Sequence, residues 1–568
     1  MRVRVRAVST LVLYAAAVVW LTWPLPAHLA THLPNTSGPS STDVPYITWV
    51  MAYQAHALVT DPSGYLDGNI YYPARHTVLY GDPGLGALPI FAPIFLATGN
   101  PTLAINLVLL VGIALTAWSL HLVVERWTGS WLAGVVGAST FLTNPWEIPW
   151  FFGWAPTYTV LFYLPVIAYL AARPLTRVRD AVALAVLVAL QSASNMVYLA
   201  ASTFVPLGLL VVLRVLRRKT FPEGARLAGV LLLGGVLLAP IYVGYGLVRH
   251  ENLVLERQST WARLQVPEGG AGDAVVAPLR PDRFLPAALL WRRDPTWLAP
   301  PLLALIVAGT LAMPWARAGC PGLASAWRHG LLWSAAGLAL STPGVAWRGM
   351  SMQLPHYWLL ESVAPFVNVV VREHKRLGFP CLVGFALLAG AGLVACARVV
   401  PRRWRGVARV LLATTAVGGA VLSHGAAATW MALLSADDGS STITRLLAEG
   451  DGPVLELPVS ATGVDPHFHA PPMYRSIFHW RPILNGYSSY WPAEFPARME
   501  LARRLPDEEA LMTLVRETGL AAVVVNLGRY GLPDRHAWLM RAQQGDVGRL
   551  HFVTGDTKEL LFAISPAP

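Results

Sequence analysis

The chain has 568 residues, 54% of them hydrophobic and 13% charged, with a formal net charge of +11. A soluble domain carries about 25% charged residues, so this much apolar side-chain surface needs a lipid phase to face, and an ordinary soluble protein is excluded. The positive excess is Arg set beside apolar runs, which signals topology rather than nucleic-acid binding, and Cys320, Cys381 and Cys396 offer neither a CxxC pair nor a disulfide framework.

The N-terminal run MRVRVRAVSTLVLYAAAVVWLTWPLP has the basic start and apolar stretch of a signal peptide. No small-x-small cleavage site follows, and Trp20 and Trp23 close the run as interfacial anchors do. It reads as an uncleaved first helix. Crossing a bilayer takes about 20 apolar residues. On that basis about eleven transmembrane helices are predicted, near 8–28, 103–123, 130–144, 156–172, 180–193, 196–214, 227–248, 296–314, 330–343, 377–397 and 408–432, with no Asp, Glu, Lys or Arg in their central stretches.

Short-loop Arg and Lys predict the sidedness. A cytoplasmic N-terminus puts Arg2, Arg4, Arg6 and Arg126 inside, with the clusters at 173–179, 214–219, 317–328 and 398–405. The short connections at 145–155 and 191–195 carry neither Lys nor Arg. The long outside loops 29–102, 249–295 and 344–376 largely escape the rule. A span at 356–371 would bury Glu361 in lipid and turn Arg402, Arg403 and Arg405 outward, so this stretch is expected to be an interfacial helix.

The expected fold is therefore a polytopic α-helical membrane protein whose transmembrane domain covers 1–432. Past that point the pattern changes: GPVLELPV and LAAVVVNL read as strands, PDEEALMTLVRETG as a helix with acidic first turn and Gly stop, and HFVTGDTKELLFAI as a hairpin. They predict a small α/β domain over 433–568, extracytoplasmic by parity.

The first outside loop, 29–102, is long for a connection without function. Two helices are expected in it, near 44–59 and 85–97, lying along the membrane surface. Asp43 stands immediately before the first, where it reads first as an N-cap; a carboxylate able to take a proton from a hydroxyl is a second reading, compatible with the first. Asp61 and Asp82 precede prolines and read first as turn formers.

This arrangement, an acidic residue in a long first outside loop after one basic-start helix and ahead of a bundle, resembles the GT-C glycosyltransferase superfamily. More specifically it is similar to the family-39-like and lipoteichoic-acid-glycosylating membrane proteins of bacteria. The likeness rests on TDVPYITWVMAYQAHAL, on NIYYPARHTVLYGDPGLGALPIF followed by GNPTLAINL, and on FHWRPILNGYSSYWP, and covers most of the chain. It implies a sugar donor linked to polyprenyl phosphate and transfer outside the cytoplasm to a glycan, lipid or protein acceptor. It also implies direct displacement with inversion and a bacterial plasma-membrane location. Asp43 matches the catalytic carboxylate and Asp82 a second acidic position at the substrate. The loop lacks an adjacent DxD, so no metal is expected, and no cofactor.

The second outside loop, NPWEIPWFFGWAPTY, crowds Trp146, Trp150 and Trp154 around Glu147. It reads as an interfacial aromatic belt, or as a sugar-stacking wall with Glu147 as a second catalytic carboxylate. Arg372, Lys375 and Arg376 precede the tenth span as a headgroup anchor or a clamp on the donor phosphate. In the tail, Asp465, His467, His469 and His479 lack the ligand set of a zinc site, and Pro466, Pro471 and Pro472 imply a loop. Trp480, Arg481 and Tyr487 read as a lid or acceptor surface, or as packing onto the bundle. A transporter or flippase is the rival reading, but it calls for ionisable residues within spans or internal repeats. A non-catalytic scaffold presenting the tail is a third.

Overall fold

Every apolar run near a predicted span contains helix, as it must where lipid offers the backbone no hydrogen-bond partners. The computed structural model describes residues 2–35, 40–144, 156–251, 253–254, 297–317, 320–347, 350–363, 371, 374–424, 432–460, 465–545 and 548–565. Among these, five helices are long and apolar enough to cross a membrane: Pro101–Thr128, Tyr198–Val215, Arg218–His250, His374–Val399 and Arg402–Ser423. This corrects the expectation of about eleven full spans. Trp131–Leu142 and Tyr163–Ala171 have only 12 and 9 residues. At ~1.5 Å per residue these reach only about 18 and 14 Å of the ~30 Å hydrocarbon core. The chain is a multi-pass, largely helical membrane protein with a strand-bearing C-terminal region.

Pro380–Val399 is the central helix, buried along nearly its whole length against Pro300–Ala316, Pro321–Ser341 and Trp131–Leu142. Glycine allows the closest crossing: a Cβ on Gly309 would collide with the Gly392 backbone. Without a hydrophobic drive between helices in lipid, such close packing holds them together. Arg2–Leu21 is fastened to Pro101–Thr128 by Tyr14 Oη and His121 Nδ1 at 2.7 Å and by Arg6 with Glu125 at 3.2 Å.

The first long loop is built into the protein. Its strand His32–Pro34 pairs antiparallel with Leu433–Ser435, His32 opposite Ser435, so the start of the loop and the start of the tail are tied. Two helices follow, Ser40–Thr60 and Leu88–Thr98. The first was expected to lie along a membrane surface, but Trp49, Val50, Met51, Ala52 and Ala55 are all buried. The tail helix Pro466–Ser476 and Leu88–Thr98 pack against it. Val44, Trp49 and Val50 share one apolar core with Met473, Ile483 and Leu484 of the tail.

The tail holds a four-stranded sheet ordered Val454–Leu457, Ala522–Asn526, Glu559–Ile564, Leu550–Gly555. The first pair is parallel and the other two are antiparallel. Asp507 caps Glu508–Thr518 by accepting from the Ala510 N–H at 2.9 Å, and Gly519 ends it at φ 65°. Where prolines imply a loop, residues Pro466–Ser476 are helical. Asp465 accepts from the His467 N–H at 3.0 Å and Pro466 stands in the first turn, where no N–H is missed. Pro471 leaves the His467 carbonyl without its helical donor. Arg529 Nη1 supplies one from outside, at 2.7 Å.

Candidate functional site at the seam of loop and tail

Asp43 does not precede the loop helix; it lies in its first turn, where the helix dipole favours a carboxylate. Three residues on, Tyr46 shares its face of the helix. The tail reaches this face through the loop after the bridge residue Ile483. Tyr487 Oη donates to Asp43 Oδ1 at 2.9 Å, and its ring stands edge-on to Tyr46 with centroids 5.5 Å apart. Tyr46 Oη lies 3.4 Å from Ser488 Oγ and fills the space a side chain at Gly81 would need. One carboxylate of the first loop is therefore held by a hydroxyl more than four hundred positions away, a partner that no local pattern announces.

Asp82 adjoins this contact through Gly81 and heads a second set of polar groups. Asn195 Nδ2 donates to Asp82 Oδ2 and, at 2.7 Å, to Tyr158 Oη. Asn195 Oδ1 accepts from the Tyr198 N–H at 2.7 Å, so one amide joins the carboxylate to the start of the Tyr198–Val215 helix. Tyr245 Oη donates to the Gly81 carbonyl at 2.7 Å and Tyr242 Oη to that of Met196 at 2.8 Å, fixing both sides. Burial pushes the Asp82 carboxyl up to about 7, although the N–H groups of Gly84 and Met196 pull the other way. Asp82 also accepts from the Gly84 N–H at 3.5 Å, the turn contact expected of an Asp before Pro.

Arg376 joins the same set. Its guanidinium lies 6.0 Å from the Tyr158 ring centroid and 5.6 Å from that of Tyr198, while Tyr158 stacks on Phe379 at 5.9 Å. Asp82, Asn195, Tyr158 and Arg376 form a continuous acid-to-base chain of contacts. Its two ends were expected at the site from sequence. Asn195 and Tyr158 were missed, since an Asn and a Tyr beside apolar runs carry no signal of their own. Lys375 sits half-buried in the same short turn, His374–Gly378.

The remaining expected residues divide. Trp480 stacks flat on His56, centroids 4.0 Å apart. That is thirteen residues along the helix from Asp43, about 20 Å at ~1.5 Å per residue, so Trp480 is not brought to the carboxylate. Arg481 donates to the carbonyls of Asp451 and Gly452, holding a tail turn. Glu147, Trp146, Trp150, Trp154 and Arg372 lie outside the described residues.

No family model matches this chain, and no curated protein matches it. Solved structures do. The cryo-EM structure of the arabinofuranosyltransferase AftD from mycobacteria superposes with a TM-score of 0.51 at 15% identity, over 100% of this chain and 40% of that one. A mutant form of AftD gives 0.54 at 16% identity, over 98% and 41%. ArnT from Cupriavidus metallidurans, in the apo state, gives 0.48 at 13% identity, over 99% of this chain and 100% of its own. The chain spans about two fifths of the length of the mycobacterial enzyme, whose fold it shares over that part. The likeness is one of fold.

Proposed function

We propose that this protein is an integral-membrane glycosyltransferase that moves a sugar from a polyprenyl-phosphate donor to an acceptor outside the cytoplasm, with Asp43 as the base. The observation that carries this reading is the Asp43 carboxylate, held by the Tyr487 hydroxyl at 2.9 Å where the first loop meets the tail, within a GT-C-like fold. A carboxylate oriented by a fixed donor and standing at a junction between two elements is placed to meet an incoming hydroxyl.

In this reaction an acceptor hydroxyl gives its proton to Asp43 while its oxygen bonds to the anomeric carbon. The bond from that carbon to the phosphate oxygen breaks, and its electron pair leaves with the polyprenyl phosphate. Displacement from the opposite face inverts the centre. Arg376 and Lys375, with Arg372, would offset the charge gathering on the leaving phosphate. The N-terminus would be cytoplasmic and the tail would face the acceptor's compartment.

The test is transfer from a labelled polyprenyl-phosphate sugar by purified protein. Asp43→Asn should lower the rate by about 10²–10⁴-fold, the usual contribution of a positioned base. A variant that transfers at the wild-type rate would overturn the assignment.

A further inference from the structure

We propose that Asn69 is a positioning residue for the Asp43 site: it sets the register between the helix that carries Asp43 and the tail segment that carries Tyr487. Its effect on turnover rests on the transferase reading. Its effect on the contact between Tyr487 and Asp43 does not.

Asn69 is buried, and both ends of its amide are used. Trp49 Nε1 donates to Asn69 Oδ1 at 2.8 Å, and Asn69 Nδ2 donates to the Arg481 carbonyl at 3.1 Å. An indole N–H only donates and a carbonyl only accepts, so these two partners decide which way the amide faces. The main chain adds a third tie, from the Ile483 N–H to the Asn69 carbonyl at 2.7 Å. Trp49 belongs to the Asp43 helix, Ser40–Thr60. Arg481 and Ile483 belong to the segment that leads into Tyr487. One side chain therefore holds both halves of the site.

From Asn69 to Tyr487 the chain has little slack. The Tyr71 N–H donates to the Asn485 carbonyl and the Tyr72 N–H to the Ile483 carbonyl, both at 3.0 Å. On the other edge of the segment the Asn485 amide stands in for a strand neighbour. It accepts from the Glu456 N–H at 2.8 Å and donates to the Glu456 carbonyl at 2.9 Å. Gly486 then lies against the Tyr71 ring, where a Cβ would collide. That ring is itself wedged edge-on against Phe495, centroids 4.6 Å apart. Tyr487 is the first residue past this clamp.

A second route closes the circuit. The Trp49 ring stacks on Tyr46 with centroids 6.3 Å apart, and Tyr46 stands edge-on to Tyr487. Asn69, Trp49, Tyr46, Tyr487 and the segment back to Arg481 thus form a closed ring of contacts beside the Asp43 carboxylate. The margin is narrow. Tyr487 Oη stands 2.9 Å from Asp43 Oδ1, and a slide of about 0.6 Å takes such a pair out of hydrogen-bond range. Asn69 acts on the carboxylate only through Tyr487.

The experiment is a double-mutant cycle on the purified full-length protein in nanodiscs, read as transfer from a labelled polyprenyl-phosphate sugar and as melting temperature. Asn69→Asp keeps the shape and the acceptor for Trp49 but loses the donor to Arg481. Its turnover should fall by about tenfold with the donor KM nearly unchanged. In a Tyr487→Phe background the same change should cost less than about twofold, because the contact it sets is already gone. A merely structural role would lower both proteins by the same factor. Gly486→Ala displaces the same segment from the Tyr71 side and should show the same non-additivity; it carries the test if Asn69→Asp does not fold. The proposal is overturned if both variants turn over at the wild-type rate beside a slow Tyr487→Phe, or if the losses multiply in the double variants. If Asp43→Asn and Tyr487→Phe both transfer normally, the transferase reading falls and the melting temperatures decide alone: less-than-additive losses for Asn69→Asp and Tyr487→Phe uphold the positioning role, and additive losses end it.

Discussion

Asp82→Asn isolates the buried carboxyl that the fold raises from the usual 3.8 to about 7. Each pH unit of such a rise is worth about 1.36 kcal/mol, so the folded state prefers the protonated form by at most about 4 kcal/mol. The sign follows from proton counting. Between about pH 4 and pH 7 the folded protein keeps a proton that the unfolded chain has released, so the wild type loses stability as pH rises through that window and levels off above it. Asparagine has the same shape, still accepts from the Asn195 amide, and does not titrate. Its stability should lack this component of the slope. With an unfolding entropy of about 2.1 cal/mol/K per residue, ~4 kcal/mol over this chain amounts to about 3 °C. The assay is the apparent melting temperature of both proteins in one detergent, at about pH 5 and about pH 8. Only about two pH units of the rise lie above pH 5, so the variant should gain about 2 °C on the wild type between the two conditions. Parallel profiles would refute the desolvated environment assigned to Asp82.

Tyr487→Phe removes a hydrogen bond to a carboxylate, worth about 1.5–3 kcal/mol. Turnover should fall by about 10- to 100-fold with the donor KM nearly unchanged, and unchanged turnover would remove Tyr487 from the site. Arg475→Met strands Glu456, Glu559 and Asp437 around a missing cation. It should destabilise the tail by about 3–5 kcal/mol, with part recovered by adding Glu456→Gln; wild-type stability of the single variant would refute the cluster's role. Gly392→Val places a branched side chain where Leu305 and Gly309 approach. It should cost at least about 1–3 kcal/mol from overpacking, read as lower yield and melting temperature, and a neutral result would show that the two helices are free to separate.

The sequence by itself determined where helices form, because a long apolar run has few other ways to satisfy its backbone in lipid. Arg2–Leu21, Pro101–Thr128, Tyr198–Val215 and Arg405–His424 fall on predicted spans for that reason. In the tail, Glu508–Thr518 and the hairpin around Gly555 were legible because caps and alternation are local signals. Length was less legible: hydropathy showed the runs at 130–144 and 156–172 but not how soon their helices end. Asp43 stood out as an acidic residue beside a helix start, yet its place one turn inside the helix depended on where Ser40 begins it.

The rest was settled only in three dimensions. Tyr487 meets Asp43, Asn195 meets Asp82, and Arg529 answers the carbonyl that Pro471 leaves open. Each pair joins distant segments, and the chosen partner depends on which faces pack together, not on any spacing along the chain. Burial has the same character. Glu456 sits in a strand buried at all four positions, and nothing in VLEL tells that its carboxylate faces an interior seam instead of water. Apolar periodicity specifies an element because it is a property of neighbours in sequence. A site is a property of neighbours in space, and here those neighbours come from the first loop, the bundle and the tail at once.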